Sequence, residues 1–151
     1  MMPFNEVNIM GEHRIKCSWK KKMQFEANDL NENKVLMDIG KDHGGDERGI
    51  YPMPMLLVSL SGCMGVDVKI VLDRMRVPIE KMEIEIVGQL NTKVSPKVYK
   101  KIIVDFYFYG SNLSEKKVKS AIRIAKDDMC NVSAILSQTC EIEYNAILKE
   151  G

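Results

Sequence analysis

Four thiols, Cys17, Cys63, Cys130 and Cys140, and two histidines carry most of the reactive chemistry available to this 151-residue chain. A thiol can act as a nucleophile, pair into a disulfide or bind a soft metal, and its setting decides which. The cysteines form no Cys-x-x-Cys pair and two histidines do not readily complete a zinc site with them, so no metal is expected. Cys63 lies in Ser61-Gly62-Cys63-Met64-Gly65, within an apolar helical pattern. Each glycine there costs ~1 kcal/mol relative to alanine, which calls for close packing or ligand access in return. Cys130 sits where one helical pattern pauses and another begins. A helix N-terminus favours the thiolate, so local structure singles out Cys130 as the activated thiol. Cys17 and Cys140 alternate within strand-like patterns and read as packing residues. His43, in a polar loop with no placed partner, reads as solvated surface.

The elements that must position these thiols follow from periodicity. Arg14–Trp19, Met23–Ala27 and Val35–Ile39 are short β-prone pieces separated by polar turns, which predicts an antiparallel N-terminal sheet. The glycine-rich run 40–49 reads as a flexible connector. It lacks the Gly-Lys-Ser/Thr ending of a phosphate cradle. A helix from Pro52 to about Met75 has almost no polar face in its first half, which predicts a central, buried helix. At about two dozen residues it would run ~36 Å, a length more easily covered if two protomers share it. Met82–Ile86 and Val98–Tyr109 predict a hairpin around Asn91-Thr92. Ser114 can cap a helix whose stripe Val118, Ala121, Ile122, Ala125 and Met129 lies on a sheet, followed by a short helix over Val132–Leu136 and a last strand through Cys140, Ile142 and Tyr144. Strands and helices are segregated rather than alternating, so the expected class is α+β, as one domain over 1–151.

Composition excludes several functions. The charge balance of 22 − 21 = +1 offers no excess to neutralise a phosphate backbone or an anionic lipid surface. The Gly62-x-x-Gly65 spacing lacks the exposed basic surroundings of an RNA clamp, so no nucleic acid is expected. The apolar stretch Met53–Val66 breaks at Asp67, short of the ~20 residues of a bilayer span, so no membrane segment is expected. Met1–Glu6 lacks the basic segment and apolar region of a signal peptide, which predicts a cytoplasmic protein with free thiols.

Several segments together resemble one family. Pro52-Met53, Leu56-Leu57 and Ser61-Gly62-Cys63, with Asp128-Met129-Cys130-Asn131-Val132-Ser133-Ala134, look like the OsmC/Ohr superfamily of thiol peroxidases. Cys17-Ser18-Trp19-Lys20, Met23-Gln24-Phe25-Glu26-Ala27, the connector Gly44–Gly49 and the separation of the cysteines are similar to its less characterised OsmC-like branch. The resemblance implies an intertwined homodimer with long central helices between curved sheets and active sites between subunits. It implies Cys63 as peroxidatic and Cys130 as resolving, a hydroperoxide substrate, an external dithiol reductant, and no metal or organic cofactor. Met53, Met55 and Met64 near Cys63 would accept an alkyl chain, which favours organic hydroperoxides.

The chain departs from the family pattern in two places. The glutamate expected ahead of the peroxidatic cysteine is replaced by Met53 and Pro54, and where an arginine is expected on an early strand the chain has Met23-Gln24. Arg14 and Arg48 are the available deputies, and Arg48, next to the helix entrance, is the better placed. Besides the peroxidase, the sequence is compatible with a dimeric binding protein for an apolar small molecule and with a thiol redox sensor or dithiol carrier.

Overall fold

The computed structural model describes residues 11–151, so Met1–Glu6, the segment read for a leader, lies outside the described residues. The protein is α+β and forms two compact units, one ending at Met55 and one beginning at Leu56.

In the first unit β1 (Lys16–Lys21), β2 (Gln24–Asn28) and β3 (Lys34–Met37) pair antiparallel in the order β1-β2-β3. Trp19 faces Phe25 and Ala27 faces Val35, so β-branched and aromatic side chains meet across the strands. Trp19 donates from its indole N–H to the carbonyl of Lys22 at 2.7 Å, holding the β1–β2 turn. The connector is more ordered than its composition suggests. Asp38 is fully buried and accepts backbone N–H bonds from Ile39 (2.8 Å), Asp46 (3.1 Å) and Arg48 (3.1 Å). A 3-10 turn over Lys41–His43 completes the loop. A buried carboxylate with three backbone donors organises a glycine-rich segment that hydropathy alone reads as loose.

The second unit holds α1 (Met55–Arg74) from Leu56 onward and the sheet β4-β5-β6. The helix begins at Met55, whose N–H reaches the carbonyl of Tyr51 at 3.2 Å, rather than at Pro52. Its buried stripe is Leu60, Met64, Val68, Val71 and Leu72, at helical spacing. The expectation of a wholly buried helix is corrected: Leu56, Val58, Val66 and Ile70 are exposed in the single chain. The expectation that the apolar stretch is too short for a span is corrected too. With 20 residues and a mean hydropathy of 1.8, α1 is long and apolar enough to cross a membrane by length and composition. Its packed stripe is the mark of a core helix, which passes the same test.

Strands β4 (Lys81–Leu90) and β5 (Tyr99–Tyr109) form the expected antiparallel hairpin. Ile102, Val104, Phe106 and Phe108 alternate along β5 and are fully buried, giving this sheet its core face. Glycine lets helix and sheet approach here. A Cβ on Gly65 would stand 3.0 Å from Ile84 Cδ1, and one on Gly88 would stand 2.4 Å from the Tyr99 ring. Gly62 makes no such approach, since a Cβ there meets nothing within 4 Å.

Ser114 caps α2 (Glu115–Ile124), its Oγ accepting from the N–H of Lys117 at 3.3 Å, and α2 buries Val118, Ala121 and Ile122. The predicted stripe runs on as an α-helix to Met129, but the chain widens instead into a π-turn over Ala125–Met129. Then follow α3 (Asn131–Leu136) and β6 (Glu141–Lys149). β6 runs parallel to β5, from Lys101 opposite Glu141 to Tyr109 opposite Lys149. A parallel neighbour requires a crossover, and α2, the π-turn and α3 supply it.

Candidate active site

The second unit brings Cys63 and Cys130 together. Cys63 is half-buried on α1, one turn beyond the buried Leu60. Cys130 is buried between the π-turn and α3. The wide turn returns the Cys130 N–H to the carbonyl of Ala125 at 2.8 Å, five residues back, and so aims the side chain inward. The Cys130 S–H donates to Cys63 Sγ at 2.8 Å. Both are free thiols, in contact but not bonded. The N–H of Ser133 donates to Cys130 Sγ at 3.3 Å, so the sulfur caps α3. Beside the pair the Cys63 thiol donates to Asp67 Oδ2 at 3.9 Å, one helical turn along α1.

Electrostatics acts on Cys130 in a direction opposite to the local sequence signal. Burial first, and then the hydrogen bond to Cys63, push the Cys130 thiol up to about 12, against the smaller pull of the Ser133 N–H. The expectation that a helix N-terminus activates Cys130 is therefore corrected. A single short helix does not offset the removal of a thiolate from water. Cys130 is held as a neutral donor, and Cys63 is the sulfur that receives.

Behind the pair, Ser133 Oγ and Tyr144 OH share a hydrogen bond of 2.6 Å, and burial raises the Tyr144 hydroxyl above its ordinary value. Two clefts, of about 410 and 390 Å3, share Lys126, Ile142 and Tyr144 in their walls, and the second also includes Ser133.

Arg48 and Arg14 belong to the first unit, where the Arg48 N–H bonds to Asp38 and the Arg14 Nε–H to Glu12. Met64 is fully buried in the core of the second unit, while Met53 and Met55 are half-buried in the first. Cys17 is exposed, against the packing expectation, and Cys140 is half-buried with its thiol raised by burial. His43 is exposed, as expected of a loop histidine. Sequence reasoning missed Asp67, although its signal was present: a carboxylate four residues after a cysteine in a helical pattern shares that cysteine's face.

Cys63, Asp67 and Cys130 present ligand-type atoms within 4.8 Å of one another. The two sulfurs at 2.8 Å stand closer than two thiolates on one tetrahedral ion, about 3.7 Å apart at Zn–S bonds of about 2.3 Å.

Comparison with known proteins places this arrangement in a family. Protein YhfA of Escherichia coli (strain K12) is 22% identical over 132 residues, 87% of this chain and 95% of that protein. A solved structure of a hypothetical protein from Aquifex aeolicus VF5 superposes with a TM-score of 0.81 at 22% identity, covering 94% of this chain and 99% of that one. An organic hydroperoxide resistance protein OsmC from Legionella pneumophila superposes with a TM-score of 0.69 at 10% identity, covering 93% and 99%. The family model for OsmC-like protein matches residues 44–145, more than half of the chain and a span that includes both juxtaposed cysteines, and the chain therefore belongs to the OsmC-like protein family.

Proposed function

We propose that the protein is a two-cysteine peroxidase that reduces organic hydroperoxides, with Cys63 as the attacking thiol and Cys130 as the resolving one. The observation that carries this reading is the 2.8 Å contact between the two sulfurs, with Cys130 held as the thiol. The name of the Legionella relative supports the substrate class. The Cys63 sulfur attacks the terminal peroxide oxygen, the O–O bond breaks, and the products are an alcohol and a Cys63 sulfenic acid. Cys130 then attacks the Cys63 sulfur, hydroxide leaves and takes up the thiol proton as water, and a disulfide remains. An external dithiol reduces the disulfide and is itself oxidised. A reducing cytoplasm is the compartment that would sustain this cycle.

The active assembly in this proposal is a homodimer. Leu56, Val58, Val66 and Ile70 on α1, 36% to 61% exposed in the single chain, are the surface a second copy would cover.

The test is anaerobic. Reduced protein mixed with one equivalent of cumene hydroperoxide should form the Cys63–Cys130 disulfide rapidly, as timed by peptide mass spectrometry, and faster than with hydrogen peroxide. A Cys63→Ser variant that keeps full peroxide turnover would overturn the assignment. A second reading, a redox sensor on the same pair, is favoured by the hydrogen bonds at Cys63: among the described residues of the second unit, they come from a thiol and go to a carboxylate, with no cation to promote a fast thiolate. Slow but complete disulfide formation would select it.

A further inference from the structure

The two neighbours of Cys63 treat its sulfur differently. Cys130 donates to it at 2.8 Å, while Asp67 accepts from it at 3.9 Å. Asp67 is half-buried on α1, four residues along the same face, so helix geometry holds the carboxylate near the sulfur whatever else moves. The Ser133 N–H fixes Cys130 from behind at 3.3 Å. The donors Ser133 N–H, Cys130 S–H and Cys63 S–H thus lead to the Asp67 carboxylate, which lies within 4.8 Å of both sulfurs and is the group that can take up a proton.

We propose that Asp67 accepts the Cys63 proton as the sulfur attacks and returns it to the alkoxide that leaves the hydroperoxide. This rests on the peroxidase reading and names the group that does its proton transfer. The balance closes. The Cys63 S–H bond breaks and its proton passes to Asp67, an S–O bond forms, and the O–O bond breaks. Sulfur is oxidised to sulfenic acid while the peroxide is reduced to an alcohol that receives the proton from Asp67, which returns to carboxylate. The hydrogen bond from Cys130 steadies the negative charge on Cys63 meanwhile. The role answers a gap in the sequence, since the glutamate expected ahead of the cysteine is replaced by Met53 and Pro54.

A bystander carboxylate and a proton carrier make opposite predictions. A negative charge beside a thiol disfavours its thiolate, so removing a bystander should speed every reaction of Cys63. Removing a proton carrier should slow the peroxide reaction most, because there the proton must be both taken from Cys63 and returned to the alkoxide, whereas alkylation needs it only taken and releases iodide unprotonated. The experiment compares wild type, Asp67→Asn and Asp67→Glu, each anaerobic and reduced near neutral pH, with folding checked by circular dichroism. Cys63 oxidation by cumene hydroperoxide and Cys63 alkylation by iodoacetamide are followed by peptide mass spectrometry. The expected result for Asp67→Asn is a loss of peroxide rate of roughly 100-fold, the lower end of general acid–base catalysis, with a much smaller fall in alkylation. Asp67→Glu, which keeps the carboxylate, should recover most of the peroxide rate. A peroxide rate in Asp67→Asn equal to or above wild type overturns the proposal and leaves the peroxidase reading standing, as does a fall of equal size in both reactions or a faster alkylation. A wild-type protein inert to the hydroperoxide removes the peroxidase reading and this proposal with it.

Discussion

At the scale of the residue, the two thiols divide the work by burial. Cys130, pushed up to about 12, remains protonated at any physiological pH and suits a second step in which it attacks an already oxidised partner at contact distance. Its loss should therefore spare the first step. In Cys130→Ser, one equivalent of hydroperoxide should still oxidise Cys63, but the sulfenic acid should persist and be trapped by dimedone, with a mass increment confined to the Cys63 peptide. Prompt overoxidation at other cysteines with Cys63 intact would contradict the division of roles. In Cys63→Ser, Cys130 should resist iodoacetamide near neutral pH, because burial, the larger cause of its raised value, survives the substitution.

At the scale of the element, two contacts set the geometry on which the sites depend. Gly88 on β4 lies under the ring of Tyr99, where a Cβ would stand 2.4 and 2.8 Å from ring carbons and 3.0 Å from Leu57 Cδ1. Tyr99 is buried and cannot swing into solvent without opening the sheet face. Gly88→Ala should cost about 1–3 kcal/mol, as overpacking does, measured as a fall in the urea midpoint without a change in slope. In the first unit the connector depends on Asp38. Burial by itself would raise this carboxyl, but the N–H groups of Arg48, Ile39 and Asp46, with the Gln24 side chain, outweigh it and hold it below the ordinary 3.8. A lowered folded value means that the stabilisation is present above about 3.8 and is lost as pH falls through the lower folded value. Wild type should therefore lose stability in that acid range, and Asp38→Asn should show a shallower decline, as read by thermal melts across pH. Equal slopes for the two proteins would show that Asp38 does not carry the effect.

At the scale of the whole molecule, the exposed face of α1 is the feature that a single chain leaves unexplained. Val66 is 61% exposed on a helix whose opposite stripe is fully packed. If the proposed homodimer covers it, Val66→Glu should convert the dimer to monomer in sedimentation velocity while leaving the far-ultraviolet circular dichroism of the chain unchanged, because no side chain of the same subunit depends on that position. A wild-type monomer at micromolar concentration would remove the homodimer from the proposal. Catalysis provides a second readout: if the active site is shared between copies, peroxide oxidation of Cys63 should slow in the monomeric variant.

Periodicity and turn chemistry by themselves determined the α+β class, the hairpin of β4 and β5, the Ser114 cap and the break before Cys130, because these depend on residues near one another in the chain. The resemblance, rather than spacing, paired Cys63 with Cys130. Tertiary structure alone decided that the two sulfurs touch, that burial keeps Cys130 protonated in spite of its helix N-terminus, and that β6 runs parallel to β5. Each of these depends on groups distant in sequence sharing one dielectric or one ladder. The same reason explains Asp38, an ordinary acidic residue at the end of a strand pattern until the chain folds three N–H groups around it. Local propensity is written in the chain, whereas the cost of removing a charge from water is set only when the fold closes over it.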